Sequence, residues 1–465
     1  MEVWALRPLK HKTPMKQIVI IGNGIAGITA ARHIRKQSDH RILVISSESA
    51  HFYSRTALMY VYMGHMKLEH TKPYEDWFWK KNRIELLQDK VVEIQSAAKT
   101  LQLEKTAAIS YDTLIIATGS TPQFYGWPGQ QLQGVQGLYS QQDLASLEQH
   151  APHAKQCKRA VVVGGGLIGV ELAEMLHSRH IPVTFLVREA DFWNGVLPKE
   201  NAQFIAKHIR SQGIDLKTQT SLKEIKGSDG KVTAVTTDKG ETIACDLVGI
   251  TTGVRPNIDF LDQSDIATDR GVLVNPYLET NIPEIYAIGD CAQQQEPMAG
   301  RRAIEAVWYT GRMMGETLAQ TICGRRTPYR PGHWFNSAKF FDIEYQTYGT
   351  VPSERDITVE TALFHWQHPE KNLALSLAFH PENKQFLGAN SFGMRLRHEI
   401  LDRWLSEKQR ISYVLSHWAD ANFDPEFYSS YHQEILNAYA TQTGHIISPQ
   451  KKSWKRIFNR QSKMS

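Results

Sequence analysis

The hydrophobic pattern changes period abruptly at the start of the chain. Residues 18–21 are four consecutive apolar residues, which is typical of a buried strand bounded by a glycine turn. Gly22, Gly24 and Gly27 follow in G-x-G-x-x-G spacing, and apolar residues then recur at helical intervals. A second apolar run at residues 42–45 is followed by Glu48. The pattern predicts a strand, a glycine turn, a helix and a second strand that ends near a carboxylate.

The same pattern recurs in the middle of the chain. Residues 160–163 are apolar, Gly164, Gly166 and Gly169 repeat the glycine spacing, and residues 170–176 have a helical pattern. The next predicted strand is 183–187. One match could be a glycine turn in an ordinary α/β crossover. Two matches, each between an apolar run and a helix, indicate two dinucleotide-binding units.

Each glycine of such a turn has a physical task. The first makes the tight turn, the second lets a pyrophosphate approach the backbone, and the third lets the helix pack closely on the strand. The amides that open the two helices, at Ile25 and Ala26 and at Leu167 and Ile168, are then expected to face phosphates.

The remaining pattern predicts further elements. Residues 91–109 and 217–248 are predicted to be antiparallel strands, the second with hairpin turns at 228–230 and 239–240. Buried strands are predicted to end near Thr118-Gly119, Gly253 and Gly289-Asp290. Residues 301–318 are predicted to be helical, and beyond residue 331 a meander of strands at 334–348, 359–366 and 373–379 precedes helices, one of which starts at Asp424-Pro425.

These elements predict an α/β protein with two Rossmann-like dinucleotide-binding domains and a C-terminal α+β domain. The expected boundaries are a flexible extension at 1–14, one dinucleotide domain at 15–122 and 254–330, a second at 123–253, the α+β interface domain at 331–445, and a basic tail at 446–465.

Composition narrows the class of protein. The formal charge of +5 over 465 residues is too small to indicate a nucleic-acid binder. We found no apolar run of membrane-span length and no signal-like N-terminus, so a cytoplasmic protein is expected. The four cysteines show no C-x-x-C or C-x₄-C spacing, and no histidine cluster indicates a metal site. The basic tail leaves open a weak contact with an anionic membrane surface.

Five motifs occur in an order that resembles a known family: GNGIAG, YDTLIIATG, GGGLIGVE, TTGVRPN and IYAIGDCA. Over residues 16–348 the chain is similar to flavoprotein pyridine nucleotide-disulfide oxidoreductases with a glutathione-reductase-type fold. It looks most like rubredoxin and ferredoxin reductases and the flavin domain of NADH-dependent nitrite reductase. The resemblance implies FAD as cofactor and NAD(P)H as co-substrate.

The resemblance also implies roles for individual residues. Asp290 would lie on the flavin side, Arg55 would meet the pyrophosphate, and Glu171 would sit near the nicotinamide as the catalytic residue. The implied FAD-binding residues are Gly22, Gly24, Ile25, Ala26, Gly27, Glu48, Arg55, Ala117, Thr118, Gly119, Gly289 and Asp290, and Gly253 is also implied to bind a cofactor. The implied NAD(P)H-binding residues are Gly164, Gly166, Leu167, Ile168, Gly169 and Arg188.

Three departures from the family bear on the chemistry. The chain lacks the C-x₄-C of disulfide reductases, and residues 59–64 lack the single cysteine of thiol-dependent peroxidases. Tyr60 stands about where ferredoxin reductases often have a lysine. After the second strand, Arg188 precedes Glu189, an order that favours NADPH but leaves NADH open.

The sequence therefore predicts a thiol-free FAD-dependent NAD(P)H oxidoreductase that passes electrons to a protein redox partner such as rubredoxin or ferredoxin. Positive charge from residues 301 and 302 at the start of the predicted helix would support the reduced flavin. Two alternatives stay open, a type II-like NAD(P)H:quinone reductase at a membrane surface and an NADH-sensing flavoprotein scaffold. The oligomeric state also stays open, with a homodimer as one alternative.

Overall fold

The computed structural model describes residues 14–353, 360–424, 426–427 and 429–450. Almost all of the predicted N-terminal extension, most of the predicted basic tail, and Pro425 lie outside the described residues. The prediction of a membrane contact through the tail is therefore one that the structure does not address.

The first part of the chain forms eight strands and three helices. In chain order they are β1 (Gln17–Ile21), α1 (Ile25–Gln37), β2 (Arg41–Ser46), α2 (Leu58–Tyr62), α3 (Asp76–Lys81), β3 (Ile84–Gln88), β4 (Val91–Gln95), β5 (Thr100–Leu103), β6 (Ile109–Ser110), β7 (Thr113–Ile116) and β8 (Ser120–Pro122).

The middle of the chain repeats this alternation. Its elements are β9 (Val135–Gln136), α4 (Gln141–His150), β10 (Ala160–Val163), α5 (Leu167–Ser178), β11 (Val183–Leu186), α6 (Lys199–Ser211), β12 (Asp215–Lys217), β13 (Leu222–Ser228), β14 (Lys231–Thr237), β15 (Thr242–Ala244) and β16 (Leu247–Ile250).

The chain continues with β17 (Val254–Pro256), β18 (Val272–Val274), β19 (Ile285–Ala287), β20 (Ala292–Gln294) and α7 (Trp308–Ile322). The last part contains β21 (Phe335–Phe340), β22 (Ile343–Gly349), β23 (Ala362–Gln367), β24 (Ala374–Phe379), β25 (Phe386–Phe392), α8 (His398–Ser406), α9 (Ile411–Ser416), α10 (Trp418–Ala421) and α11 (His432–Thr443).

Two five-stranded parallel sheets form the α/β part of the molecule. The first has the order β19-β7-β1-β2-β3 and the second β12-β11-β10-β16-β9. In the first sheet Ile20 pairs with Val44 on one side and with Ile115 on the other, and all three side chains are buried. Continuous apolar runs suit strands that are covered on both faces by helices. The predicted pair of Rossmann-like units is confirmed as a fold.

A short antiparallel ribbon joins the two sheets. β8 leaves the first sheet and β17 returns to it, with Thr121 opposite Arg255. The predicted hairpins at 228–230 and 239–240 are confirmed, because β13, β14 and β15 form an antiparallel sheet beside the second parallel sheet. The predicted antiparallel insert is confirmed as β4, β5 and β6.

The C-terminal part is an antiparallel sheet with helices, but it is not the predicted meander. Its strand order is β21-β22-β25-β24-β23, so β22 pairs with β25 rather than with the next strand along the chain. The predicted single strand at 334–348 is two strands, because the chain turns at Phe341, whose φ is +55°.

The prediction of a helix that starts at Asp424 is wrong. Asp424 has a φ of +48° and lies outside any helix, and the helix of this region begins only at His432. The apolar residues Ile400 and Trp404 lie on α8, whereas Leu396 precedes this helix.

Candidate functional site

The first glycine turn fits a pyrophosphate. Gly22 has a φ of +114°, and a Cβ there would lie 2.1 Å from the carbonyl oxygen of Ala117. A Cβ on Gly27 would lie 2.1 Å from the carbonyl oxygen of Gly22. A Cβ on Gly24 would meet no described atom within 4 Å, so open space remains above the turn. Two glycines therefore serve close packing and the third leaves room for a ligand.

The N-terminus of α1 has backbone amides that the helix does not use and that suit an anion. The first hydrogen bond of the helix runs from the amide of Ile28 to the carbonyl of Gly24, so the helix does not use the amides of Ile25, Ala26 and Gly27. No side chain caps this end and its first turn contains no acidic residue. Unused amides at a helix N-terminus attract phosphate oxygens.

The second glycine turn has the same construction. Gly164 has a φ of +115°, and a Cβ there would lie 2.5 Å from the carbonyl oxygen of Thr251. A Cβ on Gly169 would lie 2.3 Å from the carbonyl oxygen of Gly164, and Gly166 faces open space. α5 starts at Leu167 and Ile168 with neither a side-chain cap nor an acidic residue. This turn also fits a pyrophosphate.

The carboxyl ends of the parallel strands bring the predicted FAD residues to one edge of the first sheet. Gly22, Glu48, Ala117 and Gly289 follow β1, β2, β7 and β19 in turn. A Cβ on Gly289 would lie 2.9 Å from Cβ of Ala26, so the end of β19 lies against the start of α1. Open α/β sheets bind ligands at this edge.

Glu48 and Arg55 form a bidentate ion pair at this edge. Arg55 donates from Nη2 and Nη1 to the two carboxylate oxygens at 2.7 and 3.1 Å, and the hydroxyl of Tyr53 also donates to Glu48. The amide of Gln141, in the second domain, donates to the same carboxylate at 3.1 Å. Burial opposes ionisation, but these donors hold the pKa of Glu48 below its ordinary value.

The guanidinium of Arg55 also stacks on Tyr139, 4.3 Å from the ring centroid. Because Glu48 and this ring hold it, Arg55 is fixed in place rather than free to rotate. The structure thus joins Glu48, which is expected to bind FAD, to Arg55, which is expected to meet the pyrophosphate.

Asp290 lies in a short 3-10 turn after β19 and is linked to the ribbon. The hydroxyl of Ser120 donates to its carboxylate at 3.1 Å, and the hydroxyl of Tyr139 accepts from the amide of Ser120 at 3.0 Å. Burial raises the pKa of Asp290, and burial together with Asp290 raises the pKa of Tyr139 to about 12.

Nearby, the hydroxyl of Thr118 donates to the carbonyl of Asn257 at 2.7 Å, and the carbonyl of Gly119 accepts from the amide of Asn257.

Arg188 and Glu189 lie just past β11, where the second nucleotide is expected. The Arg188 side chain is 78% exposed and its Nη2 lies 2.9 Å from the carboxylate of Glu189, which is 19% exposed. Gly253, at φ +112°, follows β16 at the same edge and faces open space. The structure therefore offers both an arginine and a carboxylate to a nucleotide ribose.

Glu171 lies in the first half of α5, one turn before Glu174. Burial, and then the charge of Glu174, raise the pKa of Glu171 to about 7. Glu174 is itself 7% exposed and accepts from Nζ of Lys339, on strand β21 of the C-terminal domain, at 2.7 Å. A carboxyl group whose pKa is raised to near neutral by burial and a neighbouring charge is a functional-site candidate.

The four cysteines are free, and three of them are buried. Burial and the nearby Asp246 raise the pKa of Cys157 and of Cys245 to about 12. Burial likewise raises the pKa of Cys291, which lies beside Asp290, and of Cys323. These groups are protonated thiols at neutral pH, and a protonated thiol is a poor nucleophile.

The prediction that the helix after Asp290 starts at residue 301 is wrong. α7 begins at Trp308, and Val307 before it has extended backbone. Arg301 instead forms a buried ion pair with Glu305, with N–O distances of 2.5 and 2.6 Å, and its Nη1 donates to the carbonyl of Gly332. Its charge is therefore compensated and does not add to the helix N-terminus.

The sequence interpretation missed Tyr53, Tyr139, Ser120, Glu174 and Lys339. The aromatic character of residues 51–64 could have indicated Tyr53, and the Ser140-x-x-Asp143 capping box could have placed Tyr139 just before a helix start. No local pattern indicates Lys339, because it meets Glu174 across 165 positions of sequence.

Over the described ranges we find no group of three or more His, Cys, Asp or Glu residues that could hold a metal ion. None of the helices in the described part of the chain combines the length and the apolar character needed to cross a bilayer.

Comparison with known proteins agrees with this geometry. The chain is 30% identical to the nitrite reductase [NAD(P)H] of Bacillus subtilis over 68% of its own length, but covers only 38% of that protein. It is 32% identical to the rubredoxin-NAD(+) reductase of Acinetobacter baylyi, covering 60% of this chain and 72% of the relative. A ferredoxin reductase structure from Rhodopseudomonas palustris matches with a TM-score of 0.74 and 24% identity, over 81% of this chain and 91% of that one.

Residues 16–308 match the family described as pyridine nucleotide-disulphide oxidoreductase. Both glycine turns, the parallel sheets and the strand-end residues described above lie within this range. The cofactors of the family, FAD and NAD(P)H, fit the two open turns. The chain belongs to the pyridine nucleotide-disulphide oxidoreductase family.

Proposed function

We propose that the protein is an NAD(P)H-dependent reductase that passes electrons to a small redox protein, such as a rubredoxin or ferredoxin, without using a thiol. FAD supplies the chemistry, because it accepts a hydride and releases electrons singly. The observation that carries the proposal is the pair of open glycine turns in a chain whose four thiols are all kept protonated.

The residues of this chain have defined roles in the proposal. Gly24 and the first amides of α1 hold the FAD pyrophosphate, and Asp290 accepts from hydroxyl groups on the flavin side. Glu48, fixed by Arg55, accepts from the ribose hydroxyls of FAD. Gly166 and α5 hold the NAD(P)H pyrophosphate, and Arg188 meets a 2′-phosphate.

Glu171 is proposed to act at the nicotinamide end of the site. With a pKa of about 7 it gains or loses a proton near neutral pH. Lys339 forms an ion pair with Glu174, the second carboxylate of α5, at 2.7 Å. The C-terminal domain thereby contributes to the electrostatics of the nucleotide helix.

Two further observations support a protein acceptor. α2, which spans the stretch where thiol-dependent relatives carry cysteine, contains Met59, Tyr60 and Tyr62 instead. The relatives named for rubredoxin reduction cover most of this chain.

An acceptor screen tests the proposal. The purified holoprotein is reduced with NADH or NADPH and then offered rubredoxin, a [2Fe–2S] ferredoxin, a soluble quinone and oxygen in separate reactions. We expect turnover with an iron–sulfur protein or rubredoxin to exceed turnover with quinone and oxygen by at least about tenfold. Faster turnover with quinone would favour the quinone reductase alternative, and no turnover with any acceptor would favour the scaffold alternative.

A further inference from the structure

A basic groove lies on the first domain, away from both glycine turns. It has a volume of about 320 Å³ and lies between the C-terminal half of α1 and the end of α3. Five cationic side chains line it: Arg32, Arg35, Lys36, Lys81 and Arg83. The described residues that line the groove include no acidic one.

Helix dipoles do not account for this charge. Arg35 and Lys36 lie in the last turn of α1 and Lys81 in the last turn of α3, where cations are favourable. Each helix end contributes only about half a negative charge. Asp39 pairs with Arg83 at 2.6 Å and removes one further charge. About three positive charges remain in one small concave surface, a repulsion that an anionic ligand would relieve.

Two arginines of the groove are incompletely hydrogen-bonded within the protein. The Nε atoms of Arg32 and Arg35 are buried and have no hydrogen-bond partner among the described residues. The terminal nitrogens of Arg35 donate to the carbonyls of Ser38 and Arg83 at 3.0 Å, so this side chain is fixed. Arg32 instead lies over the ring of Tyr74 at 4.6 Å and has no carboxylate partner in the described part of the chain. Arginine in such a setting favours phosphate, because its planar fork makes paired charged hydrogen bonds.

One wall of the groove is aromatic. Phe78 lines it and stacks on Tyr74 with a centroid distance of 4.6 Å. The volume lies at the lower end of the range for small-molecule sites and is too small for a folded partner. We infer that the groove binds a phosphate-bearing small molecule, with the phosphate among the arginines and lysines and a planar ring beside Phe78. The site is separate from the two nucleotide turns and does not depend on the proposed acceptor.

Calorimetric titration of the intact holoprotein tests this inference. FAD stays bound, and every titration uses protein that carries Gly166→Ala, so that the second glycine turn is obstructed without a competing nucleotide in solution. The probes are ADP, inorganic pyrophosphate and inorganic phosphate, each at low and at physiological ionic strength. The site variant is Arg32→Gln with Lys81→Gln, which leaves the fixed Arg35 intact. The matched control is Lys223→Gln with Lys231→Gln, two exposed lysines of the β13–β14 hairpin that give the same change in charge.

We expect saturable one-to-one binding of ADP or pyrophosphate that weakens as salt increases. The site variant should bind about tenfold more weakly, while the control stays within about twofold of the protein that carries only Gly166→Ala. Tighter binding of ADP than of pyrophosphate supports a nucleotide as the ligand, and equal binding of inorganic phosphate supports free phosphate. The inference is overturned if no probe binds at millimolar concentration, or if the site and control variants weaken binding equally. Unchanged melting temperatures show that both variants fold.

Discussion

Glu171 and Glu174 lie one helical turn apart on α5, and within the described ranges only the second has a cationic partner. Like charges at this spacing repel, and burial adds to the cost of ionising Glu171. The helix therefore carries one carboxylate that is ion-paired with Lys339 and one, Glu171, whose charge changes near neutral pH. Such pairs assign different proton-transfer roles to chemically identical side chains.

Replacement of Glu171 by Gln should change how stability depends on pH. The folded pKa of about 7 lies above the ordinary value, so the folded state binds the proton more tightly than the unfolded state. The unmodified protein therefore loses stability as pH rises from about 5 to about 8. Relative to it, Glu171→Gln should gain about 2 kcal/mol over this interval. Urea unfolding at several pH values measures the difference, and a difference that does not vary with pH would refute the assignment.

Arg188 offers a second prediction at the scale of a residue. If its exposed guanidinium meets a 2′-phosphate, Arg188→Ala should lower kcat/KM for NADPH by about tenfold or more and leave NADH within about twofold. Arg210→Ala, an exposed arginine at the end of α6, is the control for lost charge in the same domain. Equal effects on both nucleotides would show that Arg188 does not contact the 2′-phosphate of NADPH.

At the scale of the element, different glycines of each turn serve different purposes: some allow close backbone packing and others leave room for a ligand. Gly22 and Gly27 are needed because a Cβ would collide with backbone, whereas Gly24 and Gly166 face open space at ordinary negative φ. Alanine at the open positions is therefore compatible with the folded chain and obstructs only a ligand.

Gly24→Ala and Gly166→Ala should act on different cofactors. Each should leave the unfolding free energy of the cofactor-free protein within about 0.5 kcal/mol. Gly24→Ala should weaken FAD binding by about tenfold or more without a matching effect on NAD(P)H, and Gly166→Ala should do the reverse. Fluorescence titration with each cofactor measures both, and each variant is the control for the other. Loss of both cofactors in either variant would mean that the turns do not bind separately.

The sequence pattern correctly predicted those elements whose structure is set by residues close together in the sequence. The glycine turns, the parallel strands and the hairpin at Asp229-Gly230 each depend on residues close in sequence. The start of α7 was mispredicted because Arg301 is held by Glu305 and by the carbonyl of Gly332, about thirty residues away. Asp424-Pro425 has the composition of a helix start, but Asp424 adopts a left-handed conformation.

At the scale of the whole molecule, the C-terminal domain is fastened to the nucleotide domains near the site. Phe340 packs against Phe192, and Tyr309 at the start of α7 contacts Ser337 of β21. The sequence motifs predicted the two glycine turns and the residues at the strand ends. The contact between Lys339 and Glu174 could not be predicted, because only the tertiary fold brings these residues together.

Lys339→Met should destabilise the protein by about 1–3 kcal/mol, because it leaves Glu174 buried and charged without its partner. Adding Glu174→Gln should recover part of the loss, since a neutral amide costs less to bury. Lys207→Met, at an exposed position of α6, is the matched control and should have little effect. If Lys339→Met is as stable as the control, the pair does not fasten the domains.

The central claim is that NAD(P)H reduces bound FAD in this protein without help from sulfur. Anaerobic stopped-flow absorbance of the holoprotein, before and after N-ethylmaleimide treatment of the reduced protein, tests it most directly. We expect the FAD band to bleach within seconds with NADH or NADPH, and alkylation to change the rate by less than about twofold. A colourless protein that does not bind added FAD, or bleaching that alkylation abolishes, would contradict it.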